Sequence, residues 1–355
     1  MSVTLKIMDL LEQAVNDKAS DLFLVAGAPI SEKIGDRMRS VMDEKLSPSD
    51  TDRFINSIYL LAERSMDHYN ETGDDDFSLS VPQLARFRVN AYRQRGSRAV
   101  VVRIINFSIP DAEKIGIPNT VMDIAGAHSG LILVSGTAGS GKSTTQACLI
   151  DAINSMRPCH IVTLEDPIEY LHRNNKAIVS QREIAIDTYD YATALRACLR
   201  QSPDVILLGE MRDAETIHTA MTAAETGHLV IATLHTKGAA NTVDRIIDSF
   251  PSVQQEQIRA QLAAVLRIVV SQQLLPGVDG MPVPAFEIMK VTPAIRNLIR
   301  ENKTHQIDNA IATGGQDGMV SMDRYILKLY ADHKIDLNTA RSYAGNPAVI
   351  ERSVP

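Results

Sequence analysis

The chain contains the stretch Gly136-Thr137-Ala138-Gly139-Ser140-Gly141-Lys142-Ser143, which stands between an apolar run and a helical pattern. The run before it, residues 131–134, is Leu-Ile-Leu-Val and predicts a buried strand. Residues 144–154 after it predict a helix. Glycines let successive backbone N–H groups turn toward phosphate oxygens, and the helix start adds the positive end of its dipole. The G-x-x-x-x-G-K-S spacing in this setting predicts a nucleotide-binding phosphate loop.

Each residue type in the loop has a function in phosphate binding. We expect Lys142 to reach the β- and γ-phosphates of ATP and the Ser143 hydroxyl to hold Mg²⁺. ATP and Mg²⁺ are therefore the predicted substrate and cofactor. The predicted nucleotide-binding residues are Gly136, Thr137, Ala138, Gly139, Ser140, Gly141, Lys142, Ser143 and Thr144.

Composition limits the class of protein. The chain has 355 residues, of which 45% are hydrophobic and 22% charged, as in soluble globular proteins of about two domains. Neither a bilayer-spanning apolar run nor a signal peptide is found, so we expect a cytoplasmic protein without direct membrane insertion. A formal net charge of −7 disfavours nucleic acid as the main partner, although a local basic groove stays open.

The three cysteines, Cys148, Cys159 and Cys198, are far apart in sequence and form no C-x-x-C pair. Disulfides are rare in reducing compartments, and zinc sites need closely spaced ligands. We interpret the cysteines as buried apolar thiols.

The first hundred residues alternate helices and strands in an α+β pattern. Helices are expected over residues 4–15 and from about 47 to 67, the second with Ser49 or Asp50 as its N-cap. Gly27 and Pro29 are expected to end the first strand, and residues 74–76 are expected to form a solvated turn. The predicted strands cover residues 21–25, 77–79, 86–92 and 100–105. We predict a domain over residues 1–105, a linker over 106–120 and a second domain over 121–355.

One strand of this first domain is basic. Its alternation puts Arg86, Arg88 and Asn90 on one face and apolar residues on the other. Such a face either is solvated or binds an anionic partner, and the pattern leaves both interpretations open.

Beyond residue 121, strands alternate with helices, which predicts an α/β fold with a mainly parallel sheet covered on both sides. Strands over residues 161–164, 205–208 and 229–234 lead to Glu165, Glu210 and His235. Ligands of such sheets bind outside the carboxyl ends of the strands. We therefore expect these side chains to converge on the phosphate loop.

The two glutamates fit the two acidic functions in ATP hydrolysis. The strand that ends in Asp in most phosphate-loop proteins here ends in Gly209, so its carboxylate is shifted by one residue to Glu210. This favours Glu210 as a ligand of Mg²⁺ through water and Glu165 as the general base, with the reverse assignment left open. Asp166 and Glu169 are candidates for these functions or for capping and ion pairs.

Two histidines bracket the third strand. We expect at least one, with His228 favoured over His235, to sense or polarise the γ-phosphate. The alternative is a structural hydrogen bond. Their H-x₆-H spacing disfavours a metal site.

The C-terminal region is predicted to be mostly helical. Residues 254–275 predict a core helix with an apolar stripe, followed by a hairpin over 280–288. A further helix starts at Thr292 as N-cap with Pro293 in its first turn, and Arg296 and Arg300 share one face of it. By periodicity alone this is an ordinary amphipathic helix.

Together these motifs resemble a known family. The phosphate loop, the acidic box over residues 165–169, the segment Gly209-Glu210-Met211-Arg212-Asp213 and the box over 228–235 are similar to those of the ATPases of type II secretion and type IV pili. The helix over 294–301 resembles the PilT branch, the pilus retraction motors. Assembly and secretion relatives usually carry a longer N-terminal extension and a four-cysteine metal module, which are not found here. The resemblance runs from about residue 19 to 326.

The resemblance implies a homo-hexameric ring of subunits, each with a PAS-like N-terminal domain and a RecA-like ATPase domain. Arg86, Arg88 and Arg95 match the arginine fingers of the family, and His228, Glu165 and Glu210 match its catalytic boxes. Arg296 and Arg300 match the segment needed for retraction and not for hydrolysis. The implied partner is an inner-membrane pilus platform protein, with a homologous pilus ATPase as a further candidate, and the implied location is the cytoplasmic face of the inner membrane.

Two other classes of function stay open at this stage. One is an accessory or regulatory nucleotide-binding subunit with little turnover of its own. The other is a DNA or substrate-loading motor, which the negative charge and the helix over residues 294–301 disfavour.

Overall fold

The computed structural model describes residues 6–35, 37–105 and 108–353, which form two compact units. The first unit contains the described residues up to Ser108 together with Glu169–Leu171, and the second contains Ile109–Ile168 and the chain from His172 onward. Residues 109–120 of the predicted linker belong to the second unit, where Ile117 is buried. Residues 106 and 107 of that linker lie outside the described residues.

The first unit is an antiparallel sheet with helices packed on it. Its elements are α1 (Ile7–Asn16), β1 (Asp21–Val25), β2 (Pro29–Ile34), β3 (Arg37–Lys45), α2 (Pro48–Leu61), α3 (Asp67–Thr72), β4 (Asp74–Val81), β5 (Ala85–Gln94) and β6 (Ser97–Ile105). Over the described residues the strand order is β3-β2-β1-β6-β5-β4. Leu11 of α1 and Phe54 of α2 are buried with Phe87 of β5 in one apolar core. The α+β class predicted for this part of the chain is confirmed.

Two strands of this unit were not predicted, and one predicted turn is wrong. The first strand ends at Val25, before Gly27 and Pro29, as predicted. Pro29 also starts the unpredicted strand β2, since a strand tolerates proline at its first position. Residues 74–76 begin β4. Asp75 can be buried there because its carboxylate accepts hydrogen bonds from Tyr59 Oη at 2.8 Å and from Arg64 Nε at 2.9 Å.

Helix α2 is capped by Ser47, not by Ser49 or Asp50 as predicted. Pro48 takes the first helical position, where its missing N–H is not needed. Ser47 Oγ then accepts from the Asp50 N–H, and the Asp50 carboxylate accepts from the Ser47 N–H at 3.0 Å. The helix ends at Leu61 and not near residue 67.

The second unit is a mainly parallel sheet between helical layers. Its elements are α4 (Asn119–Met122), β7 (Gly130–Ser135), α5 (Lys142–Met156), β8 (His160–Glu165), β9 (Ile178–Glu183), α6 (Tyr191–Cys198), β10 (Val205–Leu208), α7 (Ala214–Glu225), β11 (Leu229–Leu234), α8 (Ala239–Asp248), α9 (Ser252–Val265), β12 (Leu266–Pro276), β13 (Pro282–Lys290), α10 (Pro293–Arg300), α11 (Ile307–Thr313), α12 (Met322–Ala331), α13 (Leu337–Tyr343) and α14 (Pro347–Ser353). Over the described residues the strand order is β13-β12-β7-β11-β10-β8-β9, and β13 pairs antiparallel with β12.

Both faces of this sheet are covered, as predicted. Every residue of β7 is buried, with Leu131 and Leu133 in one apolar cluster and Ile132 in the cluster on the other face. The α/β class of the second unit is therefore confirmed. Among the helices of the described residues, none combines the length and the hydropathy that a bilayer crossing requires.

The predicted core helix over residues 254–275 is half wrong. Helix α9 ends at Val265, and the chain continues as β12. A dense apolar run has no clear period of its own, so a buried strand and a buried helix look alike in sequence. The strand forms because β7 offers an edge, and Val270 and Ser271 pair in parallel with Val134 and Ser135.

The cysteines are free thiols, as interpreted from their spacing. Cys148 and Cys198 are buried, and burial raises the pKa of each to about 11. Cys159 is partly exposed.

Candidate nucleotide-binding site

The phosphate loop connects the end of β7 to the start of α5 at the carboxyl edge of the parallel sheet. Gly136, Gly139 and Gly141 have φ values of 148°, 74° and 86°. A Cβ atom at Gly136 would overlap the backbone oxygen of Gln272, so the chain has no room for a side chain there. Strand, loop and helix thus occur in the predicted order.

Polar groups inside the loop fit an anionic ligand. Lys142 is 8% exposed, and its Nζ donates to the carbonyl oxygens of Gly136 and Thr137, both at 2.9 Å. Ser140 Oγ is buried and has no hydrogen-bond partner among the described residues. A held ammonium group and an unsatisfied hydroxyl suit a phosphate, which brings negative charge and several acceptor oxygens.

Glu210 lies at the end of β10 and is held by two basic side chains. It is 6% exposed. Arg212 Nη2 lies 2.6 Å from its Oε1 and His235 Nε2 lies 3.3 Å from its Oε2. The order of the strands places β11, which ends at Leu234 and is followed by His235, between β7 with the loop and β10 with Glu210. Gln146 of α5 reaches the carbonyl of Leu208, which further links the helix of the loop to this strand end.

Gly209 explains why the acid is shifted by one position. Its N–H donates to the Leu164 carbonyl at 2.7 Å, so its backbone lies against the neighbouring strand β8. A Cβ at this position would lie 2.8 Å from Tyr191 Oη and 3.3 Å from the Cα of Glu165. An aspartate therefore does not fit at Gly209.

Glu165 is the last residue of β8, the strand next to β10. Its Oε1 accepts hydrogen bonds from Thr163 Oγ1 at 2.6 Å and from Gln181 Nε2 at 3.1 Å. These hydroxyl and amide donors orient the carboxylate. Glu165 and Glu210 thus end adjacent strands at the edge that carries the loop, as expected from the parallel sheet.

The two histidines lie at opposite ends of β11. The prediction that His228 is the histidine near the γ-phosphate is wrong for the phosphate loop of its own chain, because His228 lies at the end away from that loop. His228 precedes β11, where its carbonyl accepts from the Gly130 N–H at the amino end of β7. The length of β11 separates it from the loop, because β11 and β7 run in parallel from Leu229 and Gly130 onward. His228 Nδ1 lies 2.9 Å from the Ala223 carbonyl, a structural contact. His235 occupies the edge that carries the loop.

The predicted arginine fingers belong to the first unit. Arg86 and Arg88 share the more polar face of β5, whose other face is buried. Arg88 Nη2 pairs with Asp76 on the adjacent strand at 2.5 Å. Arg95 follows β5 in the turn to β6, with φ 47°.

The two arginines of α10 differ in their surroundings. Thr292 caps the helix and Pro293 occupies its first turn, as predicted. Arg296 is half-buried, and its Nε donates to the Ala263 carbonyl of α9 at 2.9 Å. Arg300 is exposed, so the shared face predicted from spacing has one anchored and one outward cation.

A cavity of about 1140 Å³ opens beside the loop, between residues 137–140 and the C-terminal helices. Lys237, Asp323 and Arg324 contribute charges to its wall. Glu287 of β13 also lines it and is 9% exposed. Its Oε1 accepts from the Ala239 N–H at the start of α8 at 2.7 Å, and its Oε2 accepts from the Met322 N–H at the start of α12 at 3.3 Å.

Four site residues were missed by the sequence analysis. Arg212 lies in the segment over residues 209–213 but was given no function, and the other three lie outside the motifs: Gln181, Tyr191 and Gln272. For Gln272 one signal existed, since an amide inside a run of apolar residues needs a hydrogen-bond partner.

The chain matches one protein family over most of its length. The family model described as Type II/IV secretion system protein covers residues 2–282. The Type IV pilus retractation ATPase PilT of Pseudomonas aeruginosa is 42% identical over 342 residues, which is 96% of this chain and 98% of that protein. The Twitching motility protein of Neisseria gonorrhoeae is 41% identical, over 97% of this chain and 92% of that protein.

The fold is also similar to that of a solved structure. The crystal structure of the pilus retraction motor PilT with bound ADP has a TM-score of 0.89 and 44% sequence identity, and the match covers 98% of this chain and 99% of that chain.

Proposed function

Because this chain belongs to the type II/IV secretion system protein family, with near full-length similarity to PilT, we propose that it is an ATP-hydrolysing motor that powers type IV pilus retraction. The observation that carries the proposal is the single sheet edge that holds the phosphate loop, Glu165, Glu210 and His235. ATP turnover is driven by groups of this kind around the γ-phosphate. The mechanical output is proposed from the names of the relatives.

ATP binding would begin with an exchange of partners at Lys142. Its ammonium group leaves the carbonyls of Gly136 and Thr137 and bonds to the β- and γ-phosphate oxygens, while the loop N–H groups and the start of α5 bind the remaining charge. The cavity beside the loop has room for a nucleoside.

Hydrolysis then needs a base for the attacking water. We assign this function to Glu165, whose orientation is fixed by Thr163 and Gln181. Water oxygen bonds to the γ-phosphorus, Glu165 takes the proton, and the bond from that phosphorus to the bridging oxygen breaks, with its electron pair leaving on ADP. Ser143 would hold Mg²⁺, and Glu210 would bind it through water; the ion would supply positive charge beside the phosphates.

The two glutamates can be told apart by isosteric variants. We expect Glu165→Gln to bind ATP with near-normal affinity and to lose turnover by about 10²-fold or more, as for loss of a general base. Glu210→Gln should instead raise the Mg²⁺ concentration needed for half-maximal turnover. The opposite pattern would assign the base to Glu210.

The active unit is proposed to be a homo-hexamer in the cytoplasm, associated with the inner face of the membrane through a pilus platform protein and, as a further candidate, a homologous pilus ATPase. In such a ring, Arg86, Arg88 and Arg95 would contact the nucleotide phosphates as arginine fingers. Arginine fingers are worth about 10³ to 10⁵ in rate. Placement of Arg86 and Arg88 on the polar face of β5 supports this function.

Helix α10 is proposed to couple turnover to the pilus machine. Arg296 fastens this helix to α9, and Arg300 is exposed for a partner. Arg300→Ala should therefore keep ATP turnover and lose retraction.

The test of the proposed function is ATP turnover over a range of protein concentrations, with Lys142→Ala as control, followed by complementation of twitching in a strain that lacks its retraction motor. We expect specific activity to rise as subunits assemble and to vanish in the control, and only the active protein to restore twitching. Nucleotide binding without turnover at any concentration would instead support an accessory nucleotide-binding subunit.

A further inference from the structure

Gln272 is a polar residue in the buried strand β12. It is 2% exposed. The pair Ser271 and Ser135 marks the end of the β7–β12 ladder, so Gln272 lies one residue past the end of β7, against the phosphate loop.

Both ends of the loop contact this one residue. The backbone oxygen of Gln272 lies against Gly136 at the start of the loop, and a Cβ at Gly141, the last loop residue, would lie 3.0 Å from Gln272 Nε2. At Gly136 this contact leaves no room for a side chain, and at Gly141 it is close. The loop folds onto this residue.

The side-chain amide of Gln272 makes two hydrogen bonds of fixed polarity. Its Nε2 donates to the Ser140 carbonyl at 2.5 Å, and its Oε1 accepts from Thr145 Oγ1 at 2.9 Å. The orientation of the amide is determined because a carbonyl oxygen can only accept. Thr145 is in the first turn of α5 and is 1% exposed.

We propose that Gln272 is a positioning residue that aims the Gly141 N–H at the bound phosphate. Ser140 C=O and Gly141 N–H belong to one peptide group, and in a trans peptide they point in opposite directions. By holding the carbonyl, Gln272 turns the N–H away from itself and toward the inside of the loop. The inference rests on the proposed function, since it names a phosphate-binding group of the same site.

Thr145 connects the Gln272 side chain to helix α5. The hydroxyl of Thr145 holds the amide oxygen, so the amide cannot rotate and release the Ser140 carbonyl. Loop and helix start are thereby set in one orientation before nucleotide arrives, which reduces the ordering needed on binding.

The experiment compares Gln272→Met, which keeps the length of the side chain without the amide, with Gln272→Glu, which sets a carboxylate against the Ser140 carbonyl. The matched control is Gln261→Met. Gln261 lies on helix α9, and its Nε2 donates to the Glu225 carboxylate at 2.9 Å. ADP dissociation constants, KM and kcat for ATP, and thermal midpoints are measured for all four proteins.

We expect Gln272→Met to weaken ADP binding and raise KM by about 10-fold, the loss typical of a hydrogen bond to a charged group. kcat should change less than KM, whereas the thermal midpoint should fall further than that of Gln261→Met, because the Ser140 carbonyl and the Thr145 hydroxyl lose buried partners. Gln272→Glu should bind ADP more weakly still. An ADP affinity of Gln272→Met within twofold of the wild type would overturn the proposal.

Thr145→Val provides a second route if a Gln272 variant does not fold. It removes the hydroxyl that holds the amide and should weaken ADP binding in the same direction, with less than additive effect when combined with Gln272→Met. Additive effects would contradict a shared device. A wild-type protein that binds ADP without hydrolysing ATP would refute the motor, and the ADP comparison would still decide the function of Gln272.

Discussion

At Gly209, packing determines which residue of the strand end can carry the acidic side chain. Its hydrogen atom faces the hydroxyl of Tyr191 and the backbone of β8, and burial raises the pKa of that phenol, so it remains protonated at neutral pH. The acid of the strand end therefore belongs to the next residue, Glu210, where Arg212 and His235 can hold it.

We expect Gly209→Ala to destabilise the protein by about 1–3 kcal/mol, because a methyl group is forced into a filled space. Thermal denaturation of wild type and variant measures this loss. Tyr191→Phe removes the closest atom and should restore part of the stability when added to Gly209→Ala, while Tyr191→Phe alone changes it little. If the double variant is no more stable than Gly209→Ala, the hydroxyl is not the obstacle.

The positions of the two histidines lead us to expect different effects of their substitution on kcat. His235→Ala removes a partner of Glu210 and should lower kcat by about 10-fold or more, in the range of effects seen for catalytic side chains. His228→Ala serves as the control, because His228 contacts the Ala223 carbonyl at the other edge of the sheet. Steady-state ATP turnover decides the matter, and a larger loss of kcat in His228→Ala would contradict this assignment.

The candidate site was predictable where it is contiguous in sequence. Loop geometry follows from glycine spacing, and Glu165 and Glu210 follow from the rule for parallel strands. The choice between His228 and His235 failed because bracketing a strand means occupying both of its ends, which are at opposite edges of a sheet. Gln272 escaped notice because its contacts with Ser140 and Thr145 span more than a hundred residues of sequence.

At the level of elements, Glu287 joins two helices of the second unit. One carboxylate oxygen accepts from the first N–H group of α8 and the other from the first N–H group of α12. Acids are favourable at helix N-termini because of the helix dipole and the unpaired N–H groups.

Glu287→Gln tests this junction. The new amide group sets a donor against one of the two N–H groups, so we expect a loss of about 1 kcal/mol, as for a lost cap. Urea denaturation at pH 4, where the contribution of Glu287 is largest, measures it. A Glu287→Gln variant as stable as wild type would show that the caps contribute nothing.

The same residue predicts a pH dependence. Burial raises the pKa of Glu287, only partly offset by the Ala239 and Met322 N–H groups. A raised folded-state pKa means that the stabilising contribution is complete below the unfolded value, about 4.3, and is lost as pH rises through the folded value. The difference in free energy of unfolding between wild type and Glu287→Gln should therefore decrease from pH 4 toward pH 7. Thermal midpoints across this range measure it, and a widening gap would contradict the sign.

The elements themselves were predictable to different degrees. Strands β10 and β11 have the predicted limits because they are short apolar runs between turn residues. Strands β2 and β3 were missed because β3 is exposed along most of its length and lacks the apolar alternation that marks a strand. The boundary between α9 and β12 depends on the partner strand β7, which no local pattern contains.

At the scale of the whole molecule, the loop and the arginines lie in different units of the chain. If Arg86 acts on the site of a neighbouring subunit, two inactive variants should complement each other. Mixed rings of Lys142→Ala and Arg86→Ala should regain turnover, because some sites then combine an intact loop with an intact arginine.

Co-expression followed by ATPase assay of the purified mixed rings measures this recovery. Rings of each single variant, and mixed rings of Lys142→Ala with Lys142→Ala/Arg86→Ala, should stay inactive. An Arg86→Ala protein that is fully active by itself would remove the arginine from the mechanism.

Because Glu287 caps two helices, it also connects their movements. Each oxygen of this carboxylate accepts a hydrogen bond from the start of one helix, at 2.7 Å for α8 and 3.3 Å for α12. The side chain therefore limits how far the two helix starts can move apart. Helix α8 begins shortly after His235, the contact of Glu210. A movement that starts at the nucleotide-binding edge and displaces α8 must therefore either displace α12 as well or break one of the two hydrogen bonds of Glu287.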